Sequence, residues 1–287
     1  MGNRGEGMIR HLLLAAVPIL AGWASGASGA VAVASHDRLW SDHKVPFVIC
    51  EMTGAEGQPA ESGCDHGAAP LAAAEATKVR EAVARWNEMF GSDLQFVAVE
   101  SLGRSERGVL FSRSKEESLC STDQIGRPKK ARRTNVRIGT HCNGFAASET
   151  PVGTVLHEMM HVAGFYHEQQ RPDRDAYLKT HVPHGLVSML FDVDGAGQWA
   201  KSSRRHARML TPYDFGSIMH YPIRNPKKAQ LTLEGKEQLD SEGLTINDPG
   251  RRDAMSANDI AGMKLLYGAP PSLAAGEPLA KDSRSPL

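Results

Sequence analysis

The sequence carries no excess of charge of either sign. Its 33 basic and 33 acidic side chains cancel over 287 residues, so there is no electrostatic footprint for a nucleic-acid partner. No internal repeat is visible, which sets aside solenoids and arrays. Beyond the N-terminal region no apolar run is long enough to cross a bilayer. Cysteine is scarce, with four residues and no C-x-x-C pair, which argues against a cysteine-rich metal site. What is present is ordinary globular material, 41% hydrophobic, in a chain long enough for one sizeable domain or two small lobes.

The N-terminus reads as an export signal. Arg4 and Arg10 precede a short apolar run from Leu12 to Ala24, and a small-residue stretch ends in Ala32-Val33-Ala34, an A-x-A-like cleavage site before Ser35. The run is too short to span a membrane comfortably, so no stable membrane insertion is expected once the signal is removed. The expected organisation is a signal peptide over 1–34, a catalytic domain over 35–268 and a disordered, Pro- and Ser-containing tail over 269–287. Export also suits paired cysteines. Cys50, Cys64, Cys120 and Cys142 allow three pairings, of which the local one, Cys50 with Cys64 and Cys120 with Cys142, is expected.

Periodicity predicts a strand over Leu39–Ile49, a loop over 54–69 and a helix over Pro70–Phe90, whose apolar positions Val79, Val83, Trp86 and Phe90 recur at spacings of three and four before Gly91. Leu94–Val99, Gly108–Phe111 and Thr134–Gly139 read as further strands. The basic run Arg127–Arg133 reads as a solvated loop rather than a polyanion or processing site, because one short run in a neutral protein says little. From the end of the central helix to about Leu244 the chain reads as loop-rich, and a last amphipathic helix covers Ser256–Tyr267.

The informative stretch runs from His157 to Glu168. Thr150 can cap a helix that Pro151 starts, and Val152, Val155, Leu156, Met159, Met160 and Ala163 make it largely apolar. Residues four apart on a helix lie nearly in line, about 6 Å apart along the axis, so His157 and His161 can share one ion. A continuous helix cannot bring a third ligand six residues on to the same face. Gly164 can end the helix in a left-handed conformation, which lets His167 return to the metal. Three protein ligands leave an open position, the mark of a catalytic zinc. Water bound there turns acidic, and Glu158, next to the first ligand, is placed to act as general base. Three buried imidazoles and a carboxylate without a metal would leave costly unpaired polar groups.

H-E-x-x-H-x-x-G-x-x-H is the metzincin signature, and the chain continues with Glu168, Arg171, Asp173, Arg174 and Asp175. A second block, Tyr213-Asp214-Phe215-Gly216-Ser217-Ile218-Met219-His220-Tyr221, resembles a Met-turn. Together these resemble the astacin family of metzincin zinc metallopeptidases, over about Leu39 to Tyr267. The resemblance implies an α+β, two-lobed, metzincin-like fold with an N-terminal twisted sheet, an active-site helix and a loop-rich C-terminal lobe. It implies Zn(2+) held by His157, His161 and His167, with Met219 beneath it. Tyr221 would be a further ligand that swings away to stabilise the transition state. It also matches Cys120 and Cys142 to one of the family's disulfides, and Thr134–Gly139 to the edge strand that pairs with extended substrate.

There are departures from the family pattern. Leu94 stands where a long-range disulfide usually begins, and no cysteine follows Tyr267. Few residues separate the expected cleavage site from Trp40, and they hold no aspartate-bearing inhibitory motif. A family-type latency is therefore not expected, and Glu168 is expected to orient neighbouring loops or pair with Arg171 or Arg174. The function expected is a secreted zinc endopeptidase acting on protein or peptide substrates through a Glu158-assisted, zinc-bound water, with catalytic Glu158 and Tyr221. The alternative is a non-catalytic secreted binding module stabilised by zinc.

Overall fold

The computed structural model describes residues 30–52, 64, 68–103, 105–130, 132–142, 151–180 and 198–268. The expected signal up to residue 29, most of the 54–69 loop, Thr150 and the 269–287 tail lie outside them.

The first lobe is built on a five-stranded sheet ordered β3-β2-β4-β6-β5. Its strands are β2 (Lys44–Ile49), β3 (Gln95–Ala98), β4 (Val109–Arg113), β5 (Ser121–Thr122) and β6 (Thr134–Ile138). All neighbours run parallel except β5, which pairs antiparallel with β6. Helix α1 (Ala73–Phe90) and helix α2 (Val152–Ala163) pack against each other and share one core with the sheet. α1 starts later than the expected Pro70, because Leu71 is buried in a bridge to Glu51 and the Glu75 carboxylate caps the amide of Ala72 at 2.6 Å. Trp86, Phe90, Phe96, Phe111 and Ile138 are fully buried between helices and sheet. Side chains of that size contribute about 1.5–3 kcal/mol each. The opposite face carries a small cluster of Val48, Cys50 and Leu110, stapled by the Cys50–Cys64 disulfide; Cys120–Cys142 ties the segment before β5 to the end of β6. Both pairings are the expected local ones.

Every residue of α2 is buried, the polar Thr154, His157, Glu158 and His161 included, so no face of it is left to solvent. The orphan carbonyls of its last turn are satisfied from outside the helix. Trp40 Nε1 donates to Val162 O at 2.9 Å, Tyr267 Oη to Ala163 O at 2.7 Å, and the Gly126 amide to His161 O at 2.8 Å.

The second lobe has its own core of Leu178, Trp199, Tyr213, Phe215, Ile223, Ala229 and Leu239. It contains the ribbon β7 (Leu178–Thr180) with β9 (Ala229–Leu231) and helix α3 (Leu233–Ser241), while the last helix, α4 (Ala257–Tyr267), buries Met263 and Tyr267 in the first core. α3 falls in the stretch expected to be loop. Its signal is weak because only Gly235 and Leu239 are buried, while Leu233 is 77% exposed. The Thr232 side chain caps it, accepting from the Gly235 amide at 2.9 Å.

One expectation is overturned here. Thr134–Gly139 is not an edge: β6 lies between β4 and β5, and the strand beyond it is Ser121–Thr122. The residues just before the expected cleavage after Ala34 also take part in the fold. Val31–Val33 forms β1, antiparallel to β8 (Ala207–Met209), and all three residues are buried. The Val33 amide donates to Gly164 O at 2.9 Å, and Val31 O accepts from the Tyr166 amide at 2.8 Å. The small apolar residues that suit a cleavage site also suit a strand pressed against α4, where a Cβ on Gly262 would lie 2.5 Å from Ala30 Cβ. A chain starting at Ser35 should therefore melt at least about 4 °C below one starting at Gly29. Equal melting temperatures in calorimetry would show that β1 contributes nothing.

Candidate active site

His157 and His161 project from one side of α2, one turn apart. Gly164 then adopts φ 111°, a left-handed cap closed by its own amide and that of Phe165 on Met160 O. The reversed chain returns His167 to the pair. His167 Nε2 lies 3.2 Å from His157 Nε2 and 3.0 Å from His161 Nε2, and all three rings are buried.

Backbone carbonyls fix two of the tautomers. His157 Nδ1 lies 2.8 Å from Ile218 O, and His161 Nδ1 lies 2.8 Å from Phe165 O. A carbonyl only accepts, so both Nδ1 atoms carry the proton and both Nε2 atoms present lone pairs. These converge on His167 Nε2, where at most one proton could sit. A cation satisfies all three donors. Zinc–nitrogen bonds of about 2.0–2.1 Å in a tetrahedron would hold the nitrogens about 3.3 Å apart, close to the spacings observed. The three side chains therefore fit a zinc ion, and they form a metal-competent cluster among the described residues.

Burial depresses all three imidazoles, His161 to about 4 and His157 and His167 well below the usual histidine value. A depressed pKa keeps a base neutral and metal-ready as pH falls.

Glu158 is buried, with Thr122 Oγ1 donating to its Oε2 at 2.7 Å. Burial pushes its carboxyl up to about 7, against the opposing pull of Thr122 and of the Arg252 charge. A carboxylate of that basicity is matched to taking up and releasing a proton near neutrality. Glu158 and the three histidines line one cleft with Tyr221 and with Leu119 to Thr122 of the β5 edge. The Tyr221 ring lies against His167, with centroids 4.4 Å apart. Met219 is buried in the first core, and its carbonyl accepts from the Glu168 amide at 3.0 Å. That bond joins the Met-turn to the residue after the third histidine. Glu168 pairs with Arg171 at 3.1 Å and accepts from the Asp214 amide. Arg174 instead pairs with Asp175 and grips the carbonyls of Gln169 and Trp199. In the basic run, Arg127 and Lys129 are tied to Asp37.

Sequence reasoning did not find Thr122, Asp259 or Arg252. Asp259 accepts from Ser217 Oγ at 2.6 Å and the Ile218 amide at 2.9 Å, fixing the Met-turn from α4. Only a capping-box reading of Ser256 and Asp259 could have drawn attention to it. Thr122 and Arg252 lie in irregular or very short segments without periodicity.

Fold and site together define a metzincin-type, zinc-binding protein of α+β architecture. Residues 69–268 match the family model for astacin, a family of peptidases, and the chain belongs to that family. It is 37% identical over 123 residues to zinc metalloproteinase nas-13 of Caenorhabditis elegans, covering 41% of this chain and 24% of the relative. It is 30% identical over 198 residues to zinc metalloproteinase nas-28 of the same organism, covering 69% and 35%. The matches thus span only about a quarter to a third of these relatives' length. The fold is shared with high choriolytic enzyme 1, a hatching enzyme zinc-protease from medaka (Oryzias latipes), at TM-score 0.50 and 20% identity, covering 82% of this chain and 97% of that one.

Because the histidines stay neutral well below their free pKa of about 6.5, zinc should be retained on dialysis at pH 5.5 and lost with a midpoint below about 5, as read by atomic absorption. A midpoint at 6.5 or above would mean that the imidazoles titrate as exposed groups.

Proposed function

We propose that this protein is a secreted zinc endopeptidase that cleaves internal peptide bonds of proteins or peptides, with Glu158 carrying the proton. The observation that supports this most is the buried Glu158 carboxylate, held by Thr122 in the same cleft as three convergent imidazoles. Zinc bound by His157, His161 and His167 supplies Lewis acidity toward the peptide carbonyl and acidifies water. Glu158 takes the proton of the attacking water and delivers it to the leaving amine, a transfer that its raised basicity suits. Tyr221 lines the same cleft from the opposite lobe, where its hydroxyl can donate to the charge that develops on the scissile carbonyl.

An extended substrate adds to the outer edge of β5. The inner edge of Ser121–Thr122 is taken by β6, and no described strand lies beyond the outer one. Main-chain pairing of this kind recognises any extended peptide. Secretion is supported by the N-terminal pattern and by two disulfides.

A non-catalytic binding module stabilised by zinc has less support, since it gives no reason to bury a carboxylate beside the metal ligands. Glu158→Gln should lower kcat on a protein substrate at least about 100-fold with zinc content unchanged. Tyr221→Phe should lower kcat about 100-fold while the three histidines keep the metal. Undiminished turnover in the first variant would remove Glu158 from the chemistry, and in the second would remove Tyr221; wild-type protein that binds zinc but turns over no protein substrate would leave the binding module as the better reading.

A further inference from the structure

Arg252 lies in the segment between α3 and α4, yet it reaches the centre of the site. The segment is pinned at two points. A Cβ on Gly153, in the first turn of α2, would lie 1.8 Å from Arg252 O. Gly250, at φ 88°, packs so closely on Pro222 that a Cβ would lie 2.5 Å from its ring. The chain here threads between the active-site helix and the residue after Tyr221 with no room for a side chain at either glycine.

From this strap the Arg252 guanidinium reaches into the Met-turn. Its Nη1 donates to Ile218 O, and to His220 O at 3.0 Å. These carbonyls flank Met219. Ile218 O is also the acceptor that orients His157 Nδ1, and a carbonyl has two lone pairs with which to accept both. His220 O belongs to the peptide that leads into Tyr221. No ion pair joins Arg252 to a carboxylate among the described residues, and its side chain lines a cleft with His157, Glu158 and Tyr221.

We propose that Arg252 is a positioning residue, which sets His157 and Tyr221 in register by gripping the Ile218 and His220 carbonyls together. The proposal rests on the zinc-peptidase reading. Outer partners of a metal-bound histidine commonly change metal affinity about 10–100-fold when removed. A planar guanidinium can hold two carbonyls at fixed separation, whereas an ammonium is a point charge.

The test compares Arg252→Gln and Arg252→Lys with wild type. The apo-proteins are titrated with zinc against a competing chelator, and kcat and KM are measured on two peptides, one with a neutral and one with an acidic residue after the scissile bond. The glutamine variant should bind zinc at least about 10-fold more weakly. Its zinc-saturated form should lose kcat by a similar factor on both peptides with KM little changed, and the lysine variant should recover part of both losses. Three results would overturn the proposal. The first is wild-type zinc affinity and kcat in the glutamine variant. The second is a loss confined to KM for the acidic peptide, which would make Arg252 a substrate contact. The third is a lowered melting temperature with wild-type affinity and turnover. If wild type itself failed to cleave either peptide, the peptidase reading would fail, while the zinc titrations would still decide the role of Arg252.

Discussion

The site depends on one backbone conformation, the left-handed turn at Gly164. A helix offers two ligands in line at most, and the third must come from a chain that has reversed direction. At φ 111° a residue with a side chain would be strained, and a Cβ at Gly164 would also press on Val33 of β1 at 3.2 Å. The turn is locked from several sides. Met160 O closes it, Phe165 O orients His161, and Gly164 O receives the amide of Val33. Helix end, third histidine and N-terminal strand are therefore joined in one arrangement.

The other half of the site, the Met-turn, is held by hydrogen bonds from later in the chain as well as by the packing of Ile218 and Met219 in the first core. Asp259 on α4 fixes Ser217 and Ile218; Ile218 O fixes His157; Met219 O takes the amide after His167. Arg252 closes this set across the Met-turn. The histidines stand on α2 and its turn; His161 is oriented by Phe165 O close by, while His157 is oriented by Ile218 O, 61 residues later in the chain. Such outer contacts set ligand direction and basicity. Removing one of their donors leaves a buried acceptor unsatisfied.

Much of this was legible in the sequence, because ligands on a helix and a glycine at its end obey local geometry. The spacing of His157, His161 and His167 was enough to bring them together, and the periodicity of Val79, Val83, Trp86 and Phe90 was enough to find α1. Illegible features were those set by partners distant in sequence. Thr134–Ile138 alternates like an edge strand, but its place between β4 and β5 is decided by which strands pair, not by its own residues. Ala32-Val33-Ala34 reads as a cleavage site because its residues are small, whereas the burial of Val31–Val33 depends on Ala207–Met209 and Gly262. α3 buries too little to leave a pattern. Arg252 carries no local signal, since its role is defined by two carbonyls in another segment.

We propose that three imidazoles hold the resting metal, with room for light oxygen ligands such as water or the Tyr221 hydroxyl. X-ray absorption at the zinc edge measures this directly. The account predicts three nitrogen scatterers at about 2.0–2.1 Å with imidazole outer shells, plus one or two oxygens. Sulfur at about 2.3 Å, or a closed shell of four imidazoles, would contradict it.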